Sequence, residues 1–125
     1  MIELQSYFKP LDSEVYAVKD RWETTQVGRF IDSHILGYFP EVKFAEIAIF
    51  NVPEYEGSKN NSTNQDCKIR SSFYELHKEK LPRIVDLGVF QLMPKRKESF
   101  DSIQVVCETL IHDGIIPIII GGGQD

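Results

Sequence analysis

The chain has 125 residues, 42% of them hydrophobic and 26% charged, the size and composition of one compact domain with a packed core. A net charge of −5 offers no field for nucleic acid or an anionic membrane surface, and no stretch reaches the ~18 apolar residues of a membrane span or has the pattern of a secretory leader. No nucleic-acid or membrane partner is therefore expected, and a cytoplasmic protein is; Cys67 and Cys107 form no CxxC pair and read as free thiols in or near a core.

Residues 1–43 read as an irregular N-terminal extension, with Tyr7, Phe8, Tyr16, Trp22, Phe30, Tyr38 and Phe39 scattered among charges. Within it Val27, Phe30, Ile31 and Ile35 fall at i, i+3, i+4 and i+8, which predicts one short helix from about Thr25 to His34 despite Gly28. Pro40 breaks the chain. From Phe44 the run FAEIAIFNV is apolar except for Glu46 and predicts a buried strand ending at Pro53. Residues 54–65, EYEGSKNNSTNQ, have no aliphatic side chain and predict a mobile polar loop, in which the sequons at Asn60 and Asn61 are plain loop sequence.

Asp66 can cap a helix from Cys67 to about Lys80, whose Ile69, Phe73 and Leu76 repeat with the period of a core face, and Pro82 ends it. RIVDLGVF, residues 83–90, predicts a second strand, and Leu92 to Lys97 a loop with a solvated basic cluster. Ser99 then opens the clearest helix. Phe100, Ile103, Cys107, Leu110 and Ile111 form its apolar stripe, Asp101, Gln104, Glu108 and His112 its polar one, and Gly114 suits the position that closes it. IIPIII, residues 115–120, predicts a last strand, with Pro117 arguing for irregular or one-sided pairing. This most apolar segment is followed only by GGGQD, which suggests a truncated domain.

The order β-α-β-α-β over residues 44–125 specifies an α/β fold with a parallel sheet and right-handed crossovers. Ligands bind such sheets beyond the carboxyl ends of the strands, so residues 51–65, 88–97 and 121–125 are the informative places. Gly121, Gly122 and Gly123 allow close backbone approach to a ligand, or simply a tight turn. A dinucleotide fingerprint would need glycine immediately after Asp125, and a phosphate-binding Walker loop would need the GK[ST] that is absent. His34, His77 and His112 have no ligand spacing and read as solvated or capping side chains, His112 beside a helix C-terminus. Asp86 reads as a hydrogen-bond anchor near the end of its strand.

Taken together, IAIFNVPE, DCKIRSSFYEL, IVDLGVF and IIPIIIGGGQD resemble the first third of the arginase, agmatinase and formimidoylglutamase family, the ureohydrolases, over roughly residues 44–125. The resemblance rests on the Ile69–Arg70 pair, on Asp86-x-Gly88, and on an apolar strand running into the family's Gly-Gly-Asp-His-Ser, matched here by Gly121, Gly122, Gly123, Gln124 and Asp125. It implies a three-layer parallel sheet of the arginase type, a guanidino or formimino small-molecule substrate, a homo-oligomer, and two manganese ions that activate water for hydrolysis of a C–N bond. Gln124 stands where the family's first metal ligand is a histidine, and a neutral amide oxygen is a weaker donor. The resemblance thus implies a manganese hydrolase in the longer parent, its formimidoylglutamase-like branch being the first choice, and a 125-residue chain that is inactive and binds no manganese itself. The alternatives are a non-catalytic binding or scaffold protein on the same fold, favoured by Gln124, and a nucleotide-binding α/β domain.

Overall fold

A computed structural model describes residues 3–12, 19–53, 68–77 and 82–121. Among them are β1 (Phe8–Lys9), α1 (Val27–Phe30), β2 (Asp32–Ser33), β3 (Ile47–Asn51), α2 (68–75), β4 (Ile84–Phe90), α3 (Arg96–His112) and β5 (Ile116–Ile120). Short 3-10 turns occupy Leu4–Tyr7, Lys19–Arg21 and Val42–Phe44. The fold is α/β. No helix among the described residues is long and apolar enough to cross a membrane.

The three strands expected from the apolar runs form the parallel heart of the sheet, with β3 between β4 and β5. A chain that steps from β3 to β4 in one direction and from β4 past β3 to β5 in the other must, with right-handed crossovers, set its helices on opposite faces. The core divides accordingly. On one face Val106 and Leu110 of α3 meet Ala48, Phe50, Val85 and Leu87; on the other Tyr74 of α2 meets Ile49, Ile84 and Ile120.

The extension is not separate from this sheet, which is mixed and not wholly parallel. β1 pairs antiparallel and β2 parallel with β4, so residues 8–9 and 32–33 protect the edge opposite β5. The helix expected from Thr25 to His34 is cut to Val27–Phe30, because Ile31 turns extended and leads into β2. Gly28 is packed so closely under Trp22 that a Cβ would come within 2.5 Å of the indole.

Two apolar stripes also differ from expectation. In α2 the fully covered side chains are Arg70 and Tyr74; Phe73 packs partly against the same core, as expected, whereas Ile69, and Leu76 just past the helix end, are 48% and 54% exposed. In α3 the buried positions are Ser99, Val106 and Leu110, with Ile103 and Cys107 partly covered and Phe100 and Ile111 facing out. That helix begins at Arg96 inside the expected basic loop, and Ser99 is an internal residue whose Oγ accepts from Met93 N at 2.7 Å. Its end follows expectation: Gly114 has φ +80°, Gly114 N donates to Ile111 O and Ile115 N to Leu110 O, the two bonds of a Schellman motif. Pro117 leaves the β3–β5 register unbroken from Ile47↔Ile116 to Asn51↔Ile120, so the pairing is regular but one-sided. The expected loop at 54–65, the Asp66 cap and Cys67 lie outside the described residues.

Candidate functional site

The chemistry of the described residues is concentrated under α2. Arg70 grips Asp86 with both ends of its guanidinium fork: Nε donates to Oδ2 at 2.7 Å and NH2 to Oδ1 at 3.0 Å. Its remaining donors reach Asn51 Oδ1 at 2.8 Å and Gly88 O at 3.3 Å. Tyr74 OH donates to Asp86 Oδ2 at 2.9 Å, Ser33 Oγ in turn donates to Tyr74 OH at 2.6 Å, and Gly88 N donates to Asp86 Oδ1 at 3.0 Å. All these side chains are buried, Asp86 completely.

Local sequence sets each member in place. Arg70 and Tyr74 lie four residues apart and so share one face of α2. Asn51 alternates with Ile49 along β3, which brings it to the same side of the sheet as Asp86, the register partner of Ile49. Gly88 has φ +101°, and a Cβ there would collide with the carbonyl oxygen of Lys9 in β1. At this point the β3–β4 register slips: Ile49 faces Asp86 but Asn51 faces Val89. The extra residue is a bulge that reverses the alternation, sending Val89 toward the α2 face and Phe90 into the α3 core.

Burial pushes the Tyr74 hydroxyl pKa well above its ordinary value, and the Asp86 carboxylate pushes it further. Tyr74 is thus a fixed donor, and Asp86 has both oxygens engaged. This is a structural clamp of charge-assisted hydrogen bonds, tying α2 to the carboxyl ends of β3 and β4.

The histidines are scattered. His34 is buried, contrary to the solvated role expected: its Nδ1 donates to Leu87 O at 2.9 Å and its ring meets Phe39 edge-on at 4.9 Å. It lost its predicted helix because residues 32–34 run along β4. His77 is exposed and shares a 2.6 Å hydrogen bond with Thr25 Oγ1, and His112 is exposed in the last turn of α3. Cys107 is half-buried against the α3 core, which raises its thiol pKa.

Of the glycine-rich segment, Gly121 is described: it follows β5 with φ +61°, at the carboxyl end of the strand beside Asn51 of β3. Gly122, Gly123, Gln124 and Asp125 lie outside the described residues. The described residues do not fit a manganese site. No group of three or more His, Cys, Asp or Glu among them could hold a metal ion, and both oxygens of Asp86 are occupied by Arg70, Tyr74 and Gly88. A cleft of about 830 Å³ between Phe44 and the C-terminal end of α3 opens at the amino ends of β3 and β5 and gathers no such cluster either.

Sequence reasoning found Asp86 as an anchor and Arg70 as half of a motif, but missed Ser33, Asn51 and Tyr74. The available signal was a pair of polar residues at the period of a buried helix face. No protein-family model, curated protein or solved structure matches the chain.

Proposed function

We propose that residues 44–125 are the opening part of a ureohydrolase-type α/β domain, whose whole protein hydrolyses a C–N bond of a guanidino or formimino substrate, with a formimidoylglutamase-like activity as first choice. In this reading the 125-residue chain supplies scaffold: it carries one position of the metal site, Gln124, beside Gly121, Gly122, Gly123 and Asp125, and is inactive alone. The observation that carries the reading is the meeting of Arg70 with Asp86. Ile69–Arg70 and Asp86-x-Gly88 are the two internal motifs of the resemblance, and they are partners in a bidentate, buried ion pair. The parallel order with β3 in the middle agrees with it, since Gly121 then emerges at the strand tips where such sheets bind ligands.

A second reading, a non-catalytic scaffold on the same fold, is favoured by Gln124, whose amide oxygen is a weaker metal donor than imidazole. Sequencing the reading frame past codon 125 separates the two. An Asp-x-His-x-Asp motif shortly downstream is expected for the enzyme; a stop codon, or a frame without that motif, sinks the hydrolase reading. Calorimetry supplies a second check on the chain as it stands. It is expected to bind no stoichiometric manganese and to release neither urea from arginine or agmatine nor formamide from formiminoglutamate, and tight binding of one ion per chain would contradict the scaffold role.

A further inference from the structure

Strand β5 has an outer edge with a specific hydrogen-bonding pattern. Successive residues of a strand turn their N–H and C=O groups to alternate sides. Ile116 N donates to Glu46 O at 2.9 Å and Val52 N donates to Ile120 O at 3.3 Å, so residues 116, 118 and 120 face β3. Pro117 and Ile119 therefore direct their backbone groups away from it. So does the N–H of Gly121, which lies opposite the Ile120 carbonyl in the same peptide plane. Among the described residues β5 is the end strand of the sheet. Because proline has no N–H, this edge offers an acceptor at Pro117, a donor and an acceptor at Ile119, and a donor at Gly121.

The side chains around it are apolar and accessible. Ile116, Ile118 and Ile119 are 61%, 41% and 44% exposed, and residues 114–121 contain no charge that would repel a neighbouring strand.

We propose that this edge recognises a second copy of the chain, pairing antiparallel about a twofold axis at Ile119. Each Ile119 N–H then meets the Ile119 carbonyl of the other copy, and each Gly121 N–H meets the Pro117 carbonyl. No bond in this ladder calls for the donor that Pro117 lacks. Ile118 lies across from Ile120 on one face, and on the other the Pro117 ring lies across from Gly121, which has no side chain to clash. An axis at Ile118 instead would set the Ile119 carbonyl against Pro117 and leave it unpaired. A parallel strand from another protein meets the same obstacle one step earlier, where its carbonyl would face the proline ring. In the symmetric pairing the φ of +61° at Gly121 turns the chain out of the ladder just after its N–H, so pairing ends where complementarity ends. The twofold closes on itself, giving a dimer and not a fibre.

Sedimentation equilibrium over a range of concentrations, with the Ile119→Pro variant beside the parent chain, tests this. The N–H of residue 119 makes no bond to β3, so proline there should preserve the β3–β5 ladder while removing both reciprocal bonds. The parent is expected to dimerise reversibly, and the variant to dissociate at least about tenfold more readily, with the same circular dichroism. Should Ile119→Pro fail to fold, Ile118→Lys is the second variant, expected to weaken the dimer because it sets a charge beside Ile120 of the other copy. Amide exchange adds a residue-level readout: the Ile119 and Gly121 amides should slow as the dimer forms. A monomer at every concentration, an open-ended assembly, a dimer that both folded variants leave unchanged, or an Ile119 amide already slow in the monomer would each overturn the proposal.

Discussion

The two faces of the sheet are closed by different physics. Under α3 the packed centre is apolar, with Ser99 buried at its first turns: Val106, Leu110, Phe50, Leu87, Phe90 and Phe8 interdigitate, with Phe8 edge-on to both phenylalanines. Under α2 the buried centre is ionic, and the apolar side chains of Val27, Ile31, Ile49 and Trp22 surround it. Apolar burial is not directional and tolerates a helix that slides; a guanidinium fork on a carboxylate accepts one position and one angle. The first face therefore supplies adhesion. The second fixes where the carboxyl ends of β3 and β4 sit relative to a short helix that leaves Ile69, and Leu76 just past its end, in solvent.

The largest effect should come from breaking the clamp on one side only. Arg70→Ala leaves the Asp86 carboxylate buried without its counter-ion and removes the hydrogen bond to Asn51 Oδ1, which should cost roughly 3–5 kcal/mol in urea unfolding. Replacing both partners, Arg70→Met with Asp86→Leu, should recover much of that loss, because desolvating the pair offsets most of its Coulomb gain. A double variant no better than the single one would mean that the pair itself, and not the orphaned charge, sustains the face.

Somewhat smaller is the loss from the apolar side. Leu110→Ala removes a buried side chain from the α3 core and should cost about 3 kcal/mol, through lost transfer energy and the cavity left behind. Because β3 and β4 stand between the faces, the Leu110→Ala and Arg70→Ala losses should add to within about 0.5 kcal/mol. Strong coupling between them would show that the two faces are not independent.

The apolar face was the legible one. Continuous hydrophobic runs marked β3, β4 and β5, and amphipathic periodicity with a closing glycine marked α3 and its end, because burial and capping leave local patterns. The ionic face was not legible in the same way. A period count scores Arg70 as surface, so it turned α2 the wrong way and placed Ile69 and Leu76 in the core. Only the carboxylate of a strand far along the chain makes burial of the guanidinium favourable. Likewise the pairing of Phe8–Lys9 and Asp32–Ser33 with β4 rests on segments too short to show alternation, and buried His34 finds its hydrogen-bond partner on β4, at Leu87, far along the chain. The glycine of Asp86-x-Gly88 was read only as part of a family motif, whereas its positive φ and its nearness to Lys9 belong to the bulge and the β1 crossing.

The smallest effect at neutral pH, and the most diagnostic, concerns Tyr74. Tyr74→Phe keeps the ring against Trp22 but removes the O–H that Asp86 accepts and leaves Ser33 without its partner, at a cost of about 1–2 kcal/mol. The larger signature is in alkali. Burial, and then the Asp86 charge, raise the folded-state pKa of this hydroxyl above its ordinary 10.0, while the unfolded chain ionises near that value. Above it the folded state therefore binds one more proton than the unfolded state. Stability contributed by Tyr74 is complete below about pH 10 and should fall as pH rises further, by up to about 1.4 kcal/mol per pH unit. Tyr74→Phe should flatten that alkaline limb. Tyr38 serves as the control: its pKa is also raised, first by donating to both oxygens of Asp32, but it lies at the surface, so Tyr38→Phe should change the limb far less. Equal flattening by the two variants would mean that the ionic face is open to solvent and that the contrast between the faces fails.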